Sequence, residues 1–416
     1  MLLSSRGRAK RGGERGNLVV ITGLMAIPLS MIVVMTLEMV SLSNEKSRMQ
    51  AAVDAAALAG ARELAVAGGA DRDATGFAEA FALNQVTDLA PRVSMNFTAT
   101  QTVNGLQVSG VGLRASFFGN MVPPGGFKIE VSAIAESLNQ QPLCILGLPE
   151  EEDDEVELGL QALANSNIQA NNCLVHSNGD MLTRANGTIR AGTIQANGTA
   201  TGTGYSPVAN SGALRVRDPF RTRNIRRGGA CNTLNPVPLT VSGNSSQSLA
   251  AAVHTRSIIV SGNATLELQP GEHYFCQGLR VRGNATLRGD NLVLIFDEEG
   301  TFTAADNSAI SLTGRTSGDW AGFVIVATRD NDEDMEISSS SVDKLLGTIY
   351  VPEATLLINA AGSVAEESKW SVVVAKEIKL DKNARLVINT DYAGSGVPVP
   401  AGVGNNAGPG GLRLKQ

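Results

Sequence analysis

Four cysteines, Cys144, Cys173, Cys231 and Cys276, and three histidines, His176, His254 and His273, are the residues of this 416-residue chain best suited to metal or redox chemistry. Zinc sites draw on closely spaced ligand pairs, and no C-x-x-C spacing is present. An even number of cysteines in an oxidising compartment points instead to disulfides. Three pairings exist on paper. The one joining sequence neighbours, Cys144–Cys173 and Cys231–Cys276, closes the shortest loops and is the expected one. Each loop of that size stabilises by about 3–4 kcal/mol in the chain-entropy description. No metal or other cofactor is expected.

Carboxylates offer a second chemistry. Asp297-Glu298-Glu299 and Asp332–Asp334 are the candidates for a polysaccharide hydrolase or lyase, with Arg280 and Arg282 on one strand face as cationic partners, and the wider run Asp330-Asn331-Asp332-Glu333-Asp334 is a second acidic cluster. Adjacent strand residues point to opposite faces, so tandem acids are not automatically a pair. The histidines sit in no nucleophile motif such as G-x-S-x-G, and Trp320 and Trp370 are too few for a sugar-stacking surface. The acidic run from Pro149 to Glu157 lacks the Gly and Asn spacing of a calcium loop. These acids read as solvated loops, and no enzyme is expected.

The element that positions everything else lies at the N-terminus. Leu18 to Leu37 is twenty residues without a formal charge, enough for a helix to cross a bilayer core. Arg6, Arg8, Lys10, Arg11 and Arg15 precede it against one acid, Glu14. The positive-inside rule keeps residues 1–17 in the cytoplasm and places the body outside the inner membrane. A cleaved signal is the competing reading, with a weak cleavage-like Ser41-Leu42-Ser43. The apolar run exceeds the usual signal core of roughly 7–15 residues and favours a retained anchor spanning residues 18–40. Pro28 sits within the span, where a kink is tolerated. Past residue 40, Met49, Val53, Ala56, Ala57 and Gly60 follow one helical face. Its small residues would let another helix approach, or let the helix pack on its own domain. An unbroken helix over residues 16–64 would extend about 70 Å.

Gly16-Asn17-Leu18-Val19-Val20, the apolar span, and then Ser47-Arg48-Met49-Gln50-Ala51-Ala52-Val53-Asp54-Ala55-Ala56-Ala57-Leu58-Ala59 resemble the TadG-like (TadE/G-like) family of Flp/Tad pilus-assembly proteins. The resemblance implies a bacterial inner-membrane protein with an extracytoplasmic body, in an apparatus related to type IV pili. Cleaved pilins carry Glu five residues after the processing site. Counted from Gly16, that position is Ile21, so an uncleaved anchor is implied. Some relatives carry a von Willebrand A domain, whose D-x-S-x-S metal motif is absent from this sequence.

The body falls into two parts. Residues 41–140 combine the extended helix with a second helix at Ala74–Asn84. Alternating runs follow at Arg92–Thr100, Leu106–Phe118 and Phe127–Ala135, with a hairpin signal at Asn104-Gly105. This is a small pseudopilin-like α+β module. Residues 141–392 carry an imperfect repeat near twenty residues. Ile259-Val260-Ser261-Gly262-Asn263-Ala264-Thr265-Leu266 is echoed 21 residues later at Arg280-Val281-Arg282-Gly283-Asn284-Ala285-Thr286-Leu287. Such periods mark solenoids, and Gly262-Asn263 and Gly283-Asn284 suit sharp corners. A disulfide-braced parallel β-helix or β-solenoid is expected, with Leu292–Ile295 buried between coils. The corners also form sequons, including Asn263-Ala264-Thr265, which the corner role explains without glycosylation. Residues 393–416, rich in Gly and Pro, read as a flexible tail.

The first 17 residues hold five of the 34 basic and one of the 40 acidic side chains, so the rest is net −10. That leaves no basic footprint for nucleic acid. The expected partners are other Tad assembly or pilin-like membrane proteins, the bilayer, and a second copy of the chain as a homo-oligomer. The expected role is a non-enzymatic structural or scaffold component of pilus assembly. A surface adhesin or polysaccharide-binding protein is the alternative, with a β-helix polysaccharide enzyme third.

Overall fold

The computed structural model describes residues 14–64, 73–102, 105–116, 126–137, 141–149, 151–152, 155–225, 231, 234–404 and 412–415. The basic residues at 6–11, Asn104 of the hairpin signal, and Glu150, Asp153 and Asp154 of the acidic run lie outside them.

Helix α1 (Glu14–Leu64) runs unbroken for 51 residues, about 76 Å at 1.5 Å per residue. Pro28 is accommodated inside it. Its membrane half presents bare apolar side chains: Leu24, Met25, Leu29, Ile32, Val33, Met35 and Leu37 are all exposed. The soluble half is different. Met49, Val53, Ala56, Ala57 and Ala61 are fully buried against α2 (Ala74–Gln85) and a sheet of β1 (Val93–Thr102), β2 (Gly105–Arg114) and β3 (Phe127–Ser137). The sheet is antiparallel in that order. Its inward positions, among them Val93, Phe97, Leu106, Val108, Ile129 and Val131, meet the helix face. Small helix residues allow this close approach. A Cβ added at Gly60 would collide with the Leu106 side chain and come within 3.2 Å of Ala78. The Met49–Gly60 face is therefore spent inside the chain's own module.

The second part is a parallel β-solenoid of about ten turns. Three sheets surround one core. S1 begins with Leu239–Val241, Ile258–Val260 and Leu279–Val281. S2 begins with Ser246–Leu249, Thr265–Leu268 and Thr286–Gly289. S3 begins with Val253–His254, Gly271–Phe275 and Leu292–Phe296. Inward side chains stack in columns, as in Leu266, Leu287 and Ile310 of S2 or Phe275 and Phe296 of S3. The Phe275 and Phe296 ring centroids lie 5.1 Å apart, close to the strand spacing that parallel pairing imposes.

The turns do not follow chain order. The chain enters the middle of the stack at Leu143–Gly147, whose neighbours are Ser371–Leu380 on one side and Asn167–Ser177 on the other. It winds outward to Tyr205–Ser206, then runs back to Leu239 at the far end. From there it winds towards the middle again. One composite turn closes the seam. Its S1 edge is Ile378–Leu380, its S2 edge is Arg385–Val387, and its S3 edge is Leu143–Gly147 from 230 residues earlier.

The returning segment explains the continuous apolar strands. S1 and S2 strands alternate, with patterns such as Leu279–Val281 buried, exposed, buried. S3 strands such as Leu292–Phe296 and Phe323–Ala327 are buried at every position. Leu292, Leu294 and Phe296 face the solenoid core. Val293 and Ile295 face a second cluster formed with Val216, Phe220 and Ile225 of the return segment. These strands are thus covered on both faces, and the outer cover is a strap rather than a neighbouring coil.

The described residues after 392, expected to belong to a flexible tail, include several that pack against the body. Val397 and Val403 are buried in the same outer cluster, and Leu143 N–H donates to the Val403 carbonyl at 2.8 Å. Leu412–Lys415 then adds a fourth antiparallel strand to the sheet of the α+β module, beside β3. Gly/Pro richness signals irregular backbone, and irregular backbone still packs where it carries a few valines over an apolar sheet.

Candidate functional site: the anchor, its docking to the body, and the braces

Where α1 leaves the apolar stretch, it is clamped to the sheet. Glu45 is almost fully buried and pairs with Arg114 of β2 at 3.1 Å, while the Ser41 hydroxyl donates to Glu45 at 3.3 Å. Arg114 also reaches the Glu38 carbonyl at 3.5 Å. A buried ion pair is costly unless hydrogen-bonded; Ser41 satisfies Glu45 Oε1, while Glu45 Oε2 meets Arg114 as an ion pair without a hydrogen bond. The next grip is Arg48, 2.6 Å from Asp88. At the far end of α1, Arg62 donates to Asn210 at 3.3 Å, and Glu63 accepts from Gln195 at 3.1 Å. Gln195 and Asn210 belong to the last turns of the solenoid. One helix thus joins the apolar segment, the α+β module and one end of the solenoid.

Two disulfides brace the body, Cys144–Cys173 and Cys231–Cys276. The first links the composite turn to the next one along S3. The second fastens the return strap beside the S3 strand ending at Phe275. Further along, Tyr350 of S3 donates to Asp218 at 2.7 Å and accepts from Arg329 at 3.0 Å. Arg329 donates to the carbonyls of Phe220 and Arg223, each at 2.8 Å, and the Arg223 guanidinium lies 4.6 Å from the Phe323 ring centre. Burial, and then the Asp218 carboxylate, pushes the Tyr350 hydroxyl above its usual range. Tyrosine at this spot is a structural donor. Sequence reasoning missed this buckle because its members are separated by over a hundred residues and fall in no motif.

The corners carry a ladder. Gly262 and Gly283 have φ of +72° and +71°, a region open to glycine and costly for most residues. Beside them, Asn263 donates to Asn244 at 3.0 Å and Asn284 to Asn263 at 3.3 Å. Past the seam, Asn165 donates to Asn383 and Asn186 to Asn165. Other corners place Asn186, Asp306 and Asn383 at positive φ. The corner sequons are thus occupied by rung-to-rung amide bonds.

The acids and arginines weighed for catalysis are not assembled into a pocket. Glu298, Glu299, Asp332 and Asp334 are exposed on loops; Arg280 is exposed on S1, and Arg282, expected on the same strand face, lies just past the strand's end at Val281. Arg280 and Glu299 share only a broad surface groove. Asn331 is the ordering element between the two acidic loops, donating to the Asp297 and Gly300 carbonyls at 2.6 and 2.8 Å. Glu377 is raised by burial, with Asp334 and Glu157 adding to it. Its contact is the Gln161 side chain, with no pairing to a second carboxylate. Trp320 and Trp370 are buried in the outer cluster. Among the described residues, Cys231, Cys276 and Asp297 are the one grouping compact enough for a metal, and both sulfurs are committed to a disulfide.

His254 and His273 stack inside S3, His254 Nε2 lying 3.2 Å from His273 Nδ1. Burial, then the neighbouring His273, lowers His254 to about 4. Burial also lowers His273, whose other nitrogen lies 2.8 Å from the Gln269 carbonyl. His176 is buried beside Asn178. All three are packed into the body.

Residues 16–63 match the family model of the Tad family, Flp pilus-assembly, TadE/G-like. This segment is similar to a TadE/G-like domain, and the similarity is confined to these residues. Its match begins in the apolar half of α1 and ends at Glu63, which holds the solenoid. No curated protein and no solved structure matches the chain. The matched segment and the apolar helix fit a membrane-anchored protein.

Proposed function

We propose that this chain is a non-enzymatic component of Tad pilus assembly, a pilin-like structural or scaffold protein of the bacterial inner membrane. One observation carries the reading. The TadE/G-like segment coincides with a single helix that is bare and apolar in its first half and built into the body in its second. Force or position at the membrane would pass into the solenoid through the Arg62 and Glu63 contacts. The basic residues ahead of the helix support a cytoplasmic N-terminus and an extracytoplasmic body. The two disulfides, with no free cysteine among the described residues, support an oxidising compartment for that body.

The structure narrows where a membrane partner would bind. The Met49–Gly60 face is buried, so a helix partner would meet the apolar stretch of α1, whose Leu24, Leu29, Ile32 and Met35 are exposed. Other Tad membrane proteins, and lipid, are the expected contacts. Deleting the gene and counting pili, together with probing sheared pili for the chain, tests the role. Fewer pili with the chain left in the membrane fraction supports a basal scaffold. Fewer pili with the chain in the sheared fibre supports a structural subunit. Normal pilus number and attachment after deletion would sink the reading.

A further inference from the structure

The two ends of the solenoid are unlike. At one end, turns containing Gln195 and Asn210 are held by Glu63 and Arg62 of α1. At the other, Leu239–Val241, Ser246–Leu249 and Val253–His254 each pair on one side only among the described residues. Three sheet edges therefore end together around one core.

Natural edges are guarded by charge, proline or a covering element. Among the described residues this one carries little of that protection. From Leu234 to Thr255 there is no Asp, Glu, Lys or Arg. Pro236 and Pro238 precede the first strand and do not interrupt it. The next turns inward restore charge, with Glu267 and Arg288 paired at 2.9 Å on the outer face of S2. Val237 and Leu234 are exposed at this end, and so is Val253.

The edge is also self-complementary. Gln247 occupies the inward column continued by Leu266, Leu287 and Ile310, and Asn244 is the last member of the corner ladder. Both are primary amides, which donate and accept alike. A partner must offer three strand edges in the same closed arrangement, with no charge to answer. A second copy of this end supplies them. A two-fold axis across the solenoid axis makes the junction strands antiparallel, which sheet pairing accommodates.

We infer that two copies of the chain join end to end through the turn Leu239–His254, forming one continuous solenoid with its α1-bearing ends outermost.

The test uses the full-length chain in detergent and in membrane vesicles. The native cysteines at the described positions are in disulfides, so an introduced thiol reports alone. With a short bis-maleimide cross-linker Ser246→Cys should give a covalent dimer, and Ser311→Cys, exposed on the same sheet in the middle of the stack, should not. The double variant Gln247→Lys, Ser248→Lys should lower the dimer fraction at least tenfold by sedimentation, with an unchanged circular dichroism spectrum confirming its fold. A wild-type chain that stays monomeric overturns the inference. So does equal cross-linking at both positions, or a dimer that survives the lysines, which would place the contact on the apolar helix.

Discussion

The Tyr350 hydroxyl donates to Asp218 at 2.7 Å across 132 residues of chain. It joins the middle of the solenoid to the strap that runs back along it. Asp218 lies 3.9 Å from Arg329, which binds two strap carbonyls as well. Tyr350→Phe keeps the ring, T-shaped against Phe220, and removes the hydrogen bonds. A buried, charge-assisted bond of this type contributes about 1.5–3 kcal/mol. The variant should show a lower urea midpoint and faster proteolytic cleavage between residues 207 and 225. An unchanged cleavage rate would mean that the disulfide and the apolar contacts hold the strap alone.

Gly60 tests whether the family helix is welded to its module. A side chain there meets Leu106 and Ala78, and overpacking of this kind costs about 1–3 kcal/mol. Gly60→Leu should lower the melting temperature of the body although leucine is the better helix former. Gly23→Ala, where nothing lies within 4 Å, should leave the melting temperature unchanged. Equal behaviour of the two variants would mean that α1 is loosely attached.

Much of this fold is legible in the chain because local chemistry repeats. The charge-free run, the helical face from Met49 to Gly60, the alternation in Val93–Phe97 and the Gly-Asn corners each specify an element by themselves. The order of the turns is not legible. Every rung presents nearly the same edge, so nothing in Ile145 says that its neighbour is Val373 rather than a residue from the preceding turn. The strap escaped for a related reason. Val216, Phe220 and Ile225 are scattered apolar residues in an arginine-rich stretch, and their target appears only once S3 is assembled. The helix face was legible as a packing face. Its partner, Leu106 on the chain's own sheet, was not.

The two disulfides differ in access. Cys144 and Cys173 are fully buried, and Cys231 is partly exposed. Thiol–disulfide exchange requires approach of the attacking thiolate. Under native conditions dithiothreitol should therefore reduce Cys231–Cys276 first, and Cys144–Cys173 should resist until the body unfolds. Mass spectrometry after alkylation reads the order. The variant Cys144→Ser, Cys173→Ser should lose about 3–4 kcal/mol of stability. Simultaneous reduction would show that the seam beside Cys144 opens as readily as the strap.

His254 and His273 give the body an acid-sensitive point. Burial first, and the second histidine next, lower His254 to about 4, and burial lowers His273 in the same direction. An unfolded histidine titrates near 6.5. Between those values the unfolded chain binds protons that the folded chain refuses, so stability rises with pH across that window. The contribution is fully present above about pH 6.5 and is lost as pH falls towards about 4. For His254 it is at most about 3 kcal/mol, and less to the extent that solvent reaches the last turn. The groups facing the pair are Gln269, through its carbonyl, and the Phe275 ring, and neither is charged. Replacing His254 with Phe continues the Phe275 and Phe296 column. It should flatten the dependence of the melting temperature on pH between 4 and 6.5 and leave the value at pH 7.5 equal or higher. A slope unchanged in His254→Phe would assign the acid sensitivity to groups other than this histidine pair.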